Sequence, residues 1–299
     1  VEQGPLIQIG LPIALFIIMA GMGLTLAARD FRNVAVYPRA TIVGLIAQIL
    51  LLPLIAFALV WLLAPPAPIA VGLVIIAACP GGTTSNVFTF LARGNVALSI
   101  VLTVLASLIT IVTLPLFTNM AMGFYMDAEE YIALPVLRTI GTLVVIILIP
   151  VTLGMWVRVK APAFARRSES FVSVFGLLVL SAVIAALVYQ VRDQFWTLLQ
   201  AAGLAAAALN IAGIALGYFG GRLSGLVNKE ALTVAIEVGI KNGTLGLLVT
   251  LSLLESSEMS VPSAVYSLIM FLFGAGLILY GRITNKTGPA TPERSEASS

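Results

Sequence analysis

The stretch Ala231–Leu254, ALTVAIEVGIKNGTLGLLVTLSLL, places a glutamate and a lysine four residues apart inside an otherwise apolar run. Glu237 and Lys241 sit in the one polar, glycine-bearing interruption of that run, Glu237 to Gly243. An ionisable side chain at bilayer depth costs on the order of 2.5–3.5 kcal/mol even on lenient insertion scales. Residues spaced i,i+4 on a helix are neighbours, so the two charges are expected to neutralise each other. Such a pair marks an ion or substrate path, or else a helix-stabilising ion pair buried against a neighbour.

The chain surrounding this run is that of a polytopic membrane protein. Of its 299 residues 60% are hydrophobic and 10% charged, against about 25% charged in soluble domains. Mean hydropathy is +1.09. The single cysteine, Cys79, excludes a disulfide framework, and the absence of histidine removes the commonest metal ligand and general base. No zinc-hydrolase, nucleophile-elbow or phosphate-loop motif occurs, which argues against an enzyme. The first residues show no basic region or cleavage site, so no removable signal peptide is expected. The stretch 284–299 is polar and expected to be disordered.

Nine segments reach the length of about 20 residues needed to span a bilayer. They are 6–28, 38–63, 67–92, 94–119, 131–158, 169–190, 196–222, 228–254 and 261–283. Thirteen of the 16 basic residues fall in alternate connections: Arg29, Arg32, Arg39, Arg93, Arg158, Lys160, Arg166, Arg167, Arg222, Lys229, Arg282, Lys286 and Arg294. The opposite connections hold Arg192, with acidic runs at Asp127–Glu130 and Glu255–Glu258. The positive-inside rule then puts the N-terminus outside and the C-terminus in the cytoplasm, in an inner (cytoplasmic) membrane. Arg138 and Lys241 are the basic residues within spans. Trp61, Trp156 and Trp196 near span ends read as interfacial belt residues.

Two spans are interrupted alike. Segment 67–92 contains Cys79-Pro80-Gly81-Gly82, and segment 228–254 contains Gly239 to Gly243. Proline cannot donate to a helix ladder, and glycines favour unwound backbone. Broken segments at matching places in two oppositely oriented halves are the sequence sign of an inverted-repeat transporter site. The first half is one segment shorter than the second, as in a nine-span form or after loss of an N-terminal helix. Unwound carbonyls with Ser85, Asn86, Ser99, Thr103 and Glu237 offer oxygen ligands for a hard cation. For each hydroxyl alone the alternative is a bond to a carbonyl of its own helix. The helix starts at Thr83-Thr84 and at Asn242-Gly243 present free N–H groups to an anion.

CPGGTTSNVFTFLARGNVALSIVLT (Cys79–Thr103), AIEVGIKNG (Ala235–Gly243), Gln48 within LIAQILLLP, and Asn210 with Gly217-Tyr218 resemble the bile acid:sodium symporter family. The likeness runs from about Leu6 to Arg282. It implies an all-α fold of ten helices, or nine without the first, with an inverted repeat and two crossed discontinuous helices. The implied core domain covers 38–119 and 196–283, and the panel domain 6–28 and 131–190. Family members carry organic anions (bile acids, steroid sulphates, pantoate, keto acids) with two sodium ions by alternating access. Carried over, the first sodium site falls on Ser85, Asn86, Ser99, Thr103 and Glu237. The second falls on Gln48, Glu237 and the backbone of Val238 and Ile240, with Lys241 where the family has glutamine. Substrate contacts are expected from Thr83, Thr84, Asn210, Asn242 and Gly243. Arg138 either contacts the anion across the core–panel crevice or snorkels to the headgroups.

An ammonium has donors only and cannot ligate sodium, so Lys241 is expected to stand in for the second ion. That leaves open sodium use at the first site alone, sodium-independent transport, or proton coupling. Asn95 stands where the family often has aspartate, and Leu209 where many relatives have histidine. The partners expected are a small organic anion and the lipid bilayer, with no nucleic acid and no cofactor beyond sodium, in a monomer. The rival readings are an anion channel and an intramembrane enzyme built on Glu237 and Lys241.

Overall fold

The computed structural model describes residues 6–27, 33–127, 134–190, 192–193 and 195–285. Among these the chain is helical without a strand. Besides a single turn at Asn33–Val36, the helices are α1 (Leu11–Thr25), α2 (Pro38–Leu63), α3 (Ala67–Ala78), α4 (Thr83–Leu91) and α5 (Val96–Tyr125). After them come α6 (Val136–Lys160), α7 (Pro162–Gln190), α8 (Phe195–Leu223), α9 (Asn228–Gly239), α10 (Gly243–Leu253) and α11 (Ser257–Thr284). The loop positions Arg29, Arg32, Glu129 and Glu130, and the stretch 286–299, lie outside the described residues.

Among the described residues six helices are long and apolar enough to cross a membrane: Gln8–Thr25, Pro38–Leu63, Val96–Tyr125, Val136–Lys160, Trp196–Leu223 and Ser257–Thr284. Three shorter apolar helices, Ala67–Ala78, Val174–Gln190 and Gly243–Leu253, accompany them. Only helices and closed barrels satisfy every backbone group in hydrocarbon, so this composition leaves the chain little alternative. Caps appear where the sequence supplies oxygen. Asn95 Oδ1 accepts from Leu98 N at 3.2 Å to start α5, and Ser256 Oγ accepts from Met259 N at 3.3 Å to start α11.

Prolines shape the long helices from within. π-helical turns at Leu6–Gly10, Ile46–Leu51 and Val144–Leu148 each precede a proline by two residues: Pro12, Pro53 and Pro150. A proline lacks the N–H and its ring crowds the carbonyl one turn back, so the turn before it widens. At Ile46–Leu51 the widening has a consequence for the site. Leu52 N bonds to Ala47 O, and Pro53 has no N–H, so the Gln48 carbonyl is left without its helical donor.

Packing brings the helices into two neighbourhoods. α1 lies along α6 and α7, while α8 lies along α9 and α11, and α3 is buried between α11 and α5. The α1–α6 contact is backbone on backbone. A Cβ at Gly23 would lie 2.2 Å from Val151 O, and one at Gly154 would lie 2.1 Å from Ala20 O. Close approach through glycine is how helices associate where lipid removes the hydrophobic drive.

Candidate functional site

Between α3 and α4 the chain runs extended through Cys79 and Gly82, and between α9 and α10 through Ile240. The two breaks lie side by side. Gly82 N donates to Ile240 O at 3.0 Å and Asn242 N to Pro80 O at 2.9 Å, an antiparallel bridge between Gly81 and Lys241. Each break thus satisfies the polar backbone that the other exposes, which is the condition for unwound chain inside a bilayer.

Glu237 is fully buried at the end of α9. Its carboxylate accepts hydrogen bonds from Ser85 Oγ at 2.5 Å, from Ser99 Oγ, and from Thr103 Oγ1 at 2.9 Å to Oε2. Ser85 is on α4, and Ser99 and Thr103 are one turn apart on α5, so two helices converge on the acid carried by α9. Gly81 closes the fourth side: a Cβ there would lie 2.4 Å from Glu237 Oε2. Asn86, one residue past Ser85, has a buried Oδ1 without a hydrogen-bond donor. A buried acceptor without a donor is uncommon and invites a cation or water. Of the residues expected at the first sodium site, Ser85, Ser99 and Thr103 therefore converge on Glu237, while Asn86 lines the neighbouring cavity; hydroxyls, an amide oxygen and a carboxylate are a donor set that suits a hard cation.

The expected Glu237–Lys241 ion pair is not made; the side chains do not approach within 4.0 Å. The i,i+4 relation requires a continuous helix, and α9 ends at Gly239, with Ile240 extended at φ −98°, ψ 94°. Lys241 therefore emerges elsewhere. Its side chain is 1% exposed, and Nζ donates to Cys79 O at 2.9 Å and to Gln48 O at 3.4 Å. The second acceptor is the carbonyl freed by the π turn before Pro53. The Gln48 amide is buried, with both Oε1 and Nε2 unpaired. Of the other positions expected at the second ion site, Ile240 already gives its carbonyl to Gly82 N, and Val238 is buried.

The expected substrate contacts divide. Thr83, Thr84, Asn242 and Gly243 line a cavity of about 30 Å³ at the crossing. Thr83 and Asn86 also line one of about 340 Å³ with Met22, Thr25 and Phe90. Asn242 Oδ1 accepts from Leu245 N at 3.0 Å and so caps α10. Asn210 lines neither cavity. Its Nδ2 donates to Gly239 O at 2.8 Å, and Tyr266 Oη donates to the same carbonyl at 2.9 Å, so the pair clamps the second break. Arg138 is exposed on α6, also away from both cavities. Sequence reading did not find Cys79 O, Pro53 or Tyr266 as parts of this arrangement. Pro53, five residues after Gln48, was the one visible signal.

Comparison with known proteins bears on what such a crossing belongs to. Residues 12–198 match the family described as Sodium Bile acid symporter family. The chain belongs to that family. Similar relatives of this symporter family include the uncharacterized sodium-dependent transporter YocS of Bacillus subtilis (strain 168), 36% identical over 275 residues. That alignment covers 90% of this chain and 81% of the relative. The probable sodium/metabolite cotransporter BASS2, chloroplastic, of Oryza sativa subsp. japonica is 32% identical over 90% of the chain, which spans 63% of that relative's length. The human ileal sodium/bile acid cotransporter is 28% identical, with 96% of this chain and 83% of the relative aligned. These symporter relatives are named as transporters or cotransporters, not enzymes, and the chain is an integral multi-pass membrane protein.

Proposed function

We propose that the protein is a secondary active transporter of an organic anion, working by alternating access around the crossing of the two breaks. The observation that carries this reading is the antiparallel pairing of two broken helices beside a buried carboxylate ringed by three hydroxyls. In this reading each broken pair is one rod and α7 is a span, making nine transmembrane helices, and the distribution of basic residues puts the N-terminus outside. In this reading α2–α5 and α8–α11 are the core, and α1, α6 and α7 the panel. The two breaks are equivalent elements of an inverted repeat. The glycine contacts of α1 with α6 suit a panel that moves as one body.

Sodium binds among Ser85, Asn86, Ser99, Thr103 and Glu237, where the hydroxyls turn their lone pairs to the ion. The second family ion is replaced by the Lys241 ammonium, held by the Cys79 and Gln48 carbonyls. Coupling is thus one sodium per cycle. The substrate is a bile-acid-like, pantoate-like or keto-acid anion whose charged end meets the N–H groups at the start of α4, near Thr83 and Thr84.

The test is uptake of a panel of radiolabelled organic acids into proteoliposomes, under a sodium or an N-methylglucamine gradient. Saturable, sodium-driven accumulation abolished by Glu237→Ala is expected. Non-saturating flux would indicate a channel, and accumulation indifferent to Glu237 would overturn the coupling site.

A further inference from the structure

One face of α7 runs along three cavities in succession. Val172 lines the 340 Å³ cavity that also holds Thr83 and Asn86. One to two turns on, Gly176, Leu177 and Leu180 line the 30 Å³ cavity at the crossing. Further on, Ile184, Leu187 and Val188 line a third, of about 240 Å³, between α7, α8 and α11. Positions 172, 176, 180 and 187 fall within about 80° of one another around the helix, and Val172 to Leu187 covers about 22 Å at 1.5 Å per residue. The three cavities, taken together, therefore span most of the depth of a hydrocarbon core of about 30 Å.

Its two ends differ in chemistry. The end beside Val172 carries Thr25, Thr83 and Asn86. The end beside Leu187 is lined by aliphatic side chains, Gly203 and Ala264. At the narrow middle, Ile18 of α1 is 5% exposed and Leu180 of α7 is 7% exposed. Both face the crossing, with Leu180 Cδ1 standing 3.6 Å from where a Gly243 Cβ would lie. A 30 Å³ space has room for only about two or three water molecules, too little for an organic anion.

We propose that Ile18 and Leu180 form the apolar seal of the translocation path. In this assignment the aliphatic cavity beside Leu187 receives the apolar body of an amphipathic substrate when the seal parts. This rests on the transporter reading given above and names the residues that separate its two access states. Apolar constrictions block ions by excluding water, and they reopen by small displacements of packed helices. Substrate selection follows from the same lining. An anion with an aliphatic body is accepted by the Leu187 cavity, whereas a polyanion meets no donor there.

The test uses single-cysteine reporters in a Cys79→Ala background, which keeps the carbonyl used by Lys241. Val172→Cys and Leu187→Cys are labelled in proteoliposomes by a small impermeant thiol reagent added to one face at a time. With the seal intact, the face that labels Val172→Cys leaves Leu187→Cys unlabelled. Adding Leu180→Ala or Ile18→Ala should raise Leu187→Cys labelling from that face about tenfold, as truncation of a buried side chain weakens the closed packing. Gly176→Leu fills the constriction instead. A Cβ there lies 3.5 Å from Ile18 Cγ1, an ordinary contact, and transport should fall at least tenfold while sidedness persists. Unchanged sidedness in both alanine variants, or wild-type flux in Gly176→Leu, overturns the seal. Sidedness lost in Leu180→Ala supports it whether or not the wild type accumulates an anion, so the two readings fail separately.

Discussion

On the proposed coupling, replacing Lys241 by glutamine should add a second sodium to the transport cycle. The ammonium is 1% exposed and donates to Cys79 O at 2.9 Å and Gln48 O at 3.4 Å. Removing it leaves two buried carbonyls short of a donor, at about 1–3 kcal/mol each. The unpaired Gln48 Oε1 and a new amide oxygen at position 241 then add to those carbonyls as oxygen ligands without a competing positive charge. Sodium present at 100 times its dissociation constant stabilises the folded state by about 2.7 kcal/mol per site. Wild type should gain about one such increment and Lys241→Gln about two, with the variant the less stable of the pair in N-methylglucamine. Thermal unfolding in detergent across sodium concentrations measures this.

Transport supplies an independent arm. One sodium with one monovalent anion moves no net charge, so wild-type uptake should be insensitive to membrane potential. Two sodium ions with the same anion move one positive charge, worth about 2.3 kcal/mol per 100 mV, or roughly fifty-fold in accumulation. Valinomycin-imposed potentials applied to both proteins separate the cases. The reasoning is falsified if wild type already shows steep two-ion sodium dependence and Lys241→Gln leaves it unchanged.

Further outcomes follow from the same geometry. Gly81→Ala places a Cβ 2.4 Å from Glu237 Oε2, so it should reduce sodium-driven uptake about a hundredfold or more, against a milder loss of thermal stability; near-normal uptake counts against a Glu237 site closed by Gly81. Gly23→Ala drives a Cβ to 2.2 Å from Val151 O and should destabilise by about 1–3 kcal/mol, read as a lower melting temperature with sodium affinity retained. Pro53→Ala restores an N–H within reach of the Gln48 carbonyl, and should leave the protein as stable or more so while slowing transport severalfold. Single cysteines at Ser168 and Ser257 should label from opposite faces, and labelling from one face would refute the nine-span topology.

Much of this arrangement is legible in the amino-acid sequence, for physical reasons that can be named. Helices and their breaks follow from a local rule: an apolar run continues until Pro80 or Gly239 removes a donor or loosens the backbone. Ser85, Ser99 and Thr103 were legible as companions of Glu237 because oxygen-bearing side chains beside the breaks form one ligand set around a buried carboxylate. Boundaries were less accessible. α5 continues through Pro115 to Tyr125 instead of stopping near 119, since neighbouring helices hold a proline-bearing helix together in a membrane. The partners of Lys241 could not be read at all. They are backbone carbonyls of Cys79 and Gln48, and a carbonyl carries no residue label.

That failure shows how the two charges are handled. A pairing rule drawn from continuous helices set Glu237 and Lys241 against each other, and the break at Gly239 sends them into different surroundings. The acid is met by side-chain hydroxyls that can rotate, exchanging donated protons for lone pairs as a cation arrives. The ammonium is met by carbonyls whose direction the backbone fixes, one of them released by the π turn ahead of Pro53. A rotatable shell suits an ion that must enter and leave in each cycle, because its two states differ by torsions alone. A rigid carbonyl shell suits a charge that stays, since nothing in it needs to move between states. In the proposed reading the same crossing separates an exchangeable cation from a tethered one, and the separate surroundings of the two charged groups follow from the glycine and proline positions at the breaks.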